Sequence, residues 1–77
     1  SAVPANGPQE IVAPMPGKIV KLLVAENQEV SQGAGLLVIE AMKMQNELRA
    51  PRAGRVEKIY VLPGKGVETG SRLVRLV

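Results

Sequence analysis

The reactive side chain that stands out in this sequence is Lys43, set between two thioethers in Glu40-Ala41-Met42-Lys43-Met44. A lysine amine can form a Schiff base, accept an acyl group, or simply be a solvated charge. Schiff-base lysines need desolvation or a cationic neighbour to free the amine, and methionines supply neither charge nor proton. Solvated lysines are overwhelmingly protonated at neutral pH, so acylation requires an activated donor. The remaining ionisable chemistry is thin. The chain has no His, Cys, Asp or Trp, which excludes imidazole or thiolate metal centres and Ser-His-Asp or Cys-His nucleophilic sites. All 7 acidic residues are Glu. Two of them could form an acid/base pair, but no spacing brings two into one pocket. Any reactive group is therefore expected to be attached to this chain and not native to it.

The elements that must position Lys43 belong to one small domain. With 77 residues and no cysteine, neither a disulfide nor a thiolate-bound metal supports the fold, which must rest on an efficient aliphatic core. Val, Ile and Leu supply it, and Tyr60 is the single aromatic residue. No apolar run reaches the length of a membrane span and no signal peptide is evident, so no membrane insertion is expected. A cytoplasmic location, or the mitochondrial matrix in a eukaryote, is compatible with the missing cysteines. The net charge of +3 is spread along the chain, and one Tyr is a poor stacking platform, so nucleic acid is not an expected partner. Residues 1–10, SAVPANGPQE, read as the end of a flexible Pro/Ala-type linker.

From residue 13 onward the chain repeats itself at an offset of 37 positions, without a gap, over 13–40 and 50–77. Ala13-Pro14 falls on Ala50-Pro51, Gly17 on Gly54, Lys21 on Lys58, Val24 on Val61, Val30 on Val67, Gly33 on Gly70 and Leu36 on Leu73. Ile19/Val56, Leu22/Ile59, Leu37/Val74 and Ile39/Leu76 match in kind. Two copies suggest two similar halves about a pseudo-twofold axis. Each half is β-branched runs punctuated by Gly and Pro, hence strands. Asn27 corresponds to Gly64, and both residue types tolerate the left-handed region. AENQEV and LPGKGV are therefore read as equivalent turns. Residues 41–49 lie between the copies. Their composition favours a helix, yet an isolated helix of some ten residues is marginal in water, whereas a hairpin extends strands already present. Met42-Lys43 is expected at or beside an exposed hairpin tip.

With those residues in view, Glu40-Ala41-Met42-Lys43-Met44 resembles the biotin attachment motif of the biotinyl/lipoyl domain family. APMPG and APRAG before the two copies add to the resemblance, which covers residues 11–77. It implies an all-β fold, a flattened barrel or sandwich of two four-stranded antiparallel sheets, with the lysine on a tight turn between strands four and five. It implies biotin in amide linkage to Lys43, with Ala41, Met42 and Met44 recognised by the ligase or partner enzymes and Glu40 flanking. The implied partners are biotin protein ligase and the biotin carboxylase and carboxyltransferase, or decarboxylase, sites between which a carboxyl group is carried. On that reading residues 11–77 are a carrier domain and not an enzyme. No insertion separates Val24 from Gly33, which resembles the thumbless type, and the second copy ending at Val77 suggests a domain that closes its chain. A lipoyl carrier usually has Asp before its lysine and Ala after it, where this chain has methionines. An unmodified interaction domain of the same fold is the other alternative.

Overall fold

The computed structural model describes residues 7–77. Among these there is no helix. Eight strands follow one another: β1 (Gln9–Val12), β2 (Gly17–Leu22), β3 (Glu29–Val30), β4 (Gly35–Ala41), β5 (Met44–Arg49), β6 (Gly54–Ile59), β7 (Gly66–Val67) and β8 (Arg72–Leu76). They form two four-stranded sheets, ordered β1-β8-β6-β3 and β5-β4-β2-β7, and every pairing is antiparallel. This is the fold class the sequence led us to expect.

Shifting by 37 residues turns one sheet into the other, and the backbone obeys the same rule. The Asn27 N–H donates to the Val56 carbonyl at 2.6 Å and the Gly64 N–H to the Ile19 carbonyl at 2.7 Å. Gly33 donates to Ala50 and Gly70 to Ala13, each at 2.8 Å. Each half therefore closes the turns of the other. The short strands make the exchange plain: β3 pairs with β6 of the second half, and β7 with β2 of the first. Asn27 and Gly64 have φ of 73° and 92°, so the two turns are equivalent in the left-handed geometry that Asn and Gly accept.

The core lies between the sheets and is wholly aliphatic. Its largest fully buried side chains are Ile19, Leu36, Leu37, Ile39, Val56, Leu73, Val74 and Leu76, which are four repeat pairs. Each such burial contributes roughly 1.5–3 kcal/mol. That outweighs the helix preference of Met44–Arg49, a few tenths of a kcal/mol per residue, because the extended form pairs the segment with β4 and turns Leu48 onto the core.

Two boundaries differ from expectation. The expected linker, 1–10, lies outside the described residues over 1–6, but Gln9 and Glu10 are already strand, opposite Leu76 and Arg75 of β8. Residues 41–49 are not merely a connection either. β5 is the repeat partner of β1, Gln9/Asn46, Glu10/Glu47 and Ile11/Leu48 matching in kind, so only Met42 and Lys43 stand between the two ladders. The resemblance at these positions is too slight to stand out without the paired strands.

β1 is fastened to the domain by charge. Glu10 Oε2 accepts from the Tyr60 hydroxyl at 2.7 Å and from Arg75 at 3.4 Å, with Arg72 3.6 Å away. Arg72 also lies over the Tyr60 ring, 4.5 Å from its centre, and Arg75 donates to Glu57 at 2.7 Å. The Tyr60 hydroxyl is the chief cause holding the Glu10 carboxyl below its ordinary value, aided by Arg72 and Arg75 and opposed by partial burial. A carboxyl lowered in the folded state stabilises fully above the ordinary carboxylate range, and that contribution is lost as pH falls through the folded value. In urea titrations between about pH 7 and about pH 3, Glu10→Gln is expected to be less stable than the parent at the upper end and to converge with it at the lower end. Parallel curves would show that Glu10 has no such role.

Candidate functional site: the β4–β5 turn

From Leu37 onward the ladder between β4 and β5 runs in unbroken register to its last pair, Ala41 opposite Met44. That leaves two residues to reverse the chain. Of the two-residue hairpins that match strand twist, the type I′ turn needs positive φ at both central positions, which is why Asn-Gly or Gly-Gly usually fills them. Here Met42 has φ 54° and Lys43 φ 67°. An L-residue in this region costs roughly 1–2 kcal/mol, and this turn carries two. The strain persists because the flanking register over-determines it. Conformation alone would therefore favour glycine at position 42. Met42→Gly is expected to raise stability by about 0.5–1 kcal/mol after the entropy glycine adds to the unfolded chain, or about 2–8 °C in Tm. A fall in Tm in calorimetry would show that Met42 is not strained.

Alternation of faces explains the rest of the site. Ile39 is inward and fully buried, Glu40 points out, and Ala41 is inward again at 5% exposure. Ala41 closes the core beneath the tip. Beyond it the barrel ends, so Met42 is 89% and Met44 64% exposed, and Lys43 is exposed too. Neither methionine is a core side chain. Among the described residues no hydrogen bond or ion pair engages Lys43. Ala41, Met42, Lys43 and Met44 thus share one tip. Glu40 stands one step below it on the outer face, in register with Lys18 of β2 on one side and Gln45 of β5 on the other. Glu47 is further down, 3.7 Å from Arg49 with both largely solvated, a pair worth about 0–1 kcal/mol.

One residue near the tip was not singled out from the sequence. Met15 holds the repeat position of Arg52 and Met44 that of Gly7, and the Arg52 guanidinium donates to the Gly7 carbonyl. The repeat therefore puts half-buried Met15 beside the first residue of β5. The contact of Gly17 with the end of β4 places the Pro14–Gly17 segment there independently, since a β-carbon on Gly17 would lie 2.5 Å from the Glu40 carbonyl oxygen. The segments that carry the three methionines thus meet at the lysine end. The offset that aligns Met15 with Arg52 was the available signal.

With the two-sheet repeat fold and its protruding turn described, the chain matches the family described as "Biotin-requiring enzyme" over residues 9–76. The chain belongs to this family. It is 42% identical over 76 residues to a methylcrotonoyl-CoA carboxylase subunit alpha of Arabidopsis thaliana, spanning 99% of this chain and 10% of that one. It is 41% identical to a biotin carboxyl carrier protein of Streptococcus mutans over 97% of this chain and 58% of the relative. For the biotin carboxyl carrier protein of acetyl-CoA carboxylase from Solanum lycopersicum, 41% identity covers 86% of this chain and 94% of the relative. Among solved structures, a single-chain, multi-domain long-chain acyl-CoA carboxylase superposes with a TM-score of 0.85 at 36% identity, over 97% of this chain and 8% of that one. The chain thus spans only part of the first relatives it matches. The turn after Val24 matches the turn after Val61 without insertion. No helix among the described residues is long and apolar enough to cross a membrane.

Proposed function

We propose that Lys43 is the covalent attachment point of biotin, and that this domain carries a carboxyl group between a biotin carboxylase site and a carboxyltransferase or decarboxylase site. The observation that carries the reading is the two-residue turn. It holds Lys43 in the left-handed region, at φ 67°, beyond the last strand pair, where another protein can grip it from several sides. The donor is an activated biotinyl group held by biotin protein ligase. The Lys43 Nζ–C amide bond forms, the bond from the acyl carbon to its leaving group breaks, and the amine gives up its proton. Lys43 then loses its positive charge. Once bound, the biotin ring supplies the carboxyl-carrying chemistry. The chain itself supplies a rigid handle: Ala41 anchors the turn, while Met42 and Met44 offer soft apolar contact to ligase and partner sites. Glu40 flanks that contact surface without touching the amine. The domain is a carrier and not itself catalytic, and it works in the cytoplasm or the mitochondrial matrix.

Intact mass after incubation with biotin, ATP and a biotin protein ligase is expected to rise by one biotinyl group. A parallel incubation with lipoate, ATP and a lipoyl ligase is expected to leave the mass unchanged. Lipoyl incorporation without biotinyl incorporation would overturn the reading in favour of a lipoyl carrier.

A further inference from the structure

The attachment turn carries a second group that can be covalently changed. Among the described residues Met42 is the most exposed large apolar side chain, at 89%, against 64% for Met44, and Met15 is half-buried. Thioethers are oxidised to sulfoxides by peroxides, and exposure governs which ones react. Resting on the attachment reading, we propose that Met42 is a peroxide-sensitive modification site whose oxidation hinders acylation of Lys43. The turn makes the coupling tight. Met42 and Lys43 are its only two residues, both at positive φ, so a partner that grasps Lys43 must also meet the Met42 side chain. In the modification an oxygen atom of hydrogen peroxide transfers to Met42 Sδ. The S–O bond forms, the O–O bond breaks, the thioether loses two electrons, and peroxide is reduced to water. The product is polar and chiral where the ligase would meet a soft apolar group. Because Met42 buries almost nothing, the core is untouched, which separates a switch from general oxidative damage. A methionine sulfoxide reductase with a dithiol reverses the step.

The test uses unbiotinylated domain treated with hydrogen peroxide, cleared with catalase, and assayed with biotin, ATP and a biotin protein ligase. Peptide mass mapping is expected to show sulfoxide at Met42 first, then Met44, and least at Met15. The initial rate of biotin incorporation is expected to fall about tenfold, equivalent to about 1.4 kcal/mol, and to return after reductase treatment. Met42→Leu and Met44→Leu are each compared with their own untreated rates. Met42→Leu is expected to lose the peroxide response and Met44→Leu to keep it. An unaltered rate in oxidised parent protein, or an undiminished response in Met42→Leu, would overturn the proposal. No incorporation into untreated, folded protein would instead overturn the attachment reading, and the switch with it.

Discussion

Lys43→Arg is expected to abolish biotin incorporation while leaving the fold as it was. The substitution keeps the positive charge, so long-range electrostatics at the turn are preserved. It removes the nucleophile, because a guanidinium does not give up its proton at any pH a protein survives. Lys43 makes no hydrogen bond or ion pair among the described residues, so its loss should move stability by no more than about 0.5 kcal/mol. Intact mass and a thermal melt on the same sample read both halves of this expectation. A biotinyl group that still appears on the Lys43→Arg protein would mean another lysine is the acceptor. Lys18, Lys21, Lys58 and Lys65 are all exposed, which makes the variant a stringent test of position and not merely of residue type.

The largest expected effect on stability is at Gly17, where the two glycines of the repeat should part company. A β-carbon on Gly17 would stand 2.5 Å from the Glu40 carbonyl oxygen and 3.1 Å from Ile39 Cγ1. Glu40 is held in register on both sides, by Lys18 and by Gln45, and Ile39 is fully buried. Neither neighbour can retreat. Gly17→Ala is therefore expected to destabilise by about 1–3 kcal/mol, as overpacking does, or roughly 4–24 °C in Tm. At Gly54 the corresponding obstacles are the Val77 carbonyl oxygen at 2.7 Å and Arg52 Nη1 at 2.6 Å. Val77 lies beyond the end of β8, where its exchange of two backbone hydrogen bonds with Arg55 is the last hold on the chain, and a guanidinium ends a flexible side chain. Gly54→Ala should accordingly cost less than Gly17→Ala in paired urea titrations. Equal losses would mean that β4 yields near the lysine as easily as the chain does beyond β8. Because Gly17 abuts the residue before Ala41, Gly17→Ala should also slow biotin incorporation into the protein that remains folded.

The strength of the helix signal in residues 40–49 shows why local reading alone misleads. Side-chain composition reports what an isolated segment prefers, and Met44–Arg49 prefers helix. The repeat overrides it, because two copies of a strand pattern flanking the segment leave hydrogen-bonding edges that β5 can complete. The same repeat names the core: Ile19 with Val56, Leu36 with Leu73, Leu37 with Val74 and Ile39 with Leu76 are each no more than 1% exposed. What escaped it was slight in sequence. β1 and β5 share only three matched positions, and Met15 stands inside the Pro-containing APMPG stretch. The Glu10, Tyr60, Arg72 and Arg75 cluster draws on β1, β8 and the residue just after β6, and the repeat cannot announce it. The corresponding positions in the other half are Glu47, Leu23, Gly35 and Val38, so the glutamate alone is kept.

By itself the sequence determined the chemistry available to this protein: one lysine flanked by methionines, no imidazole or thiol, and two halves of β-forming residues around an aliphatic core. Residue types and a fixed offset suffice for those conclusions, because both are local or one-dimensional. The tertiary structure decided how the halves interlock, which edge each short strand takes, and how Lys43 is held. Pairing of β3 with β6 and of β7 with β2 joins residues far apart in the chain, and no local preference specifies it. The left-handed backbone of Met42 and Lys43 is likewise unsigned by either residue type. It exists because the β4–β5 ladder closes at Ala41 and Met44 and leaves two residues to make the turn. The packed sheets thus impose the strain that lifts the lysine clear of the barrel.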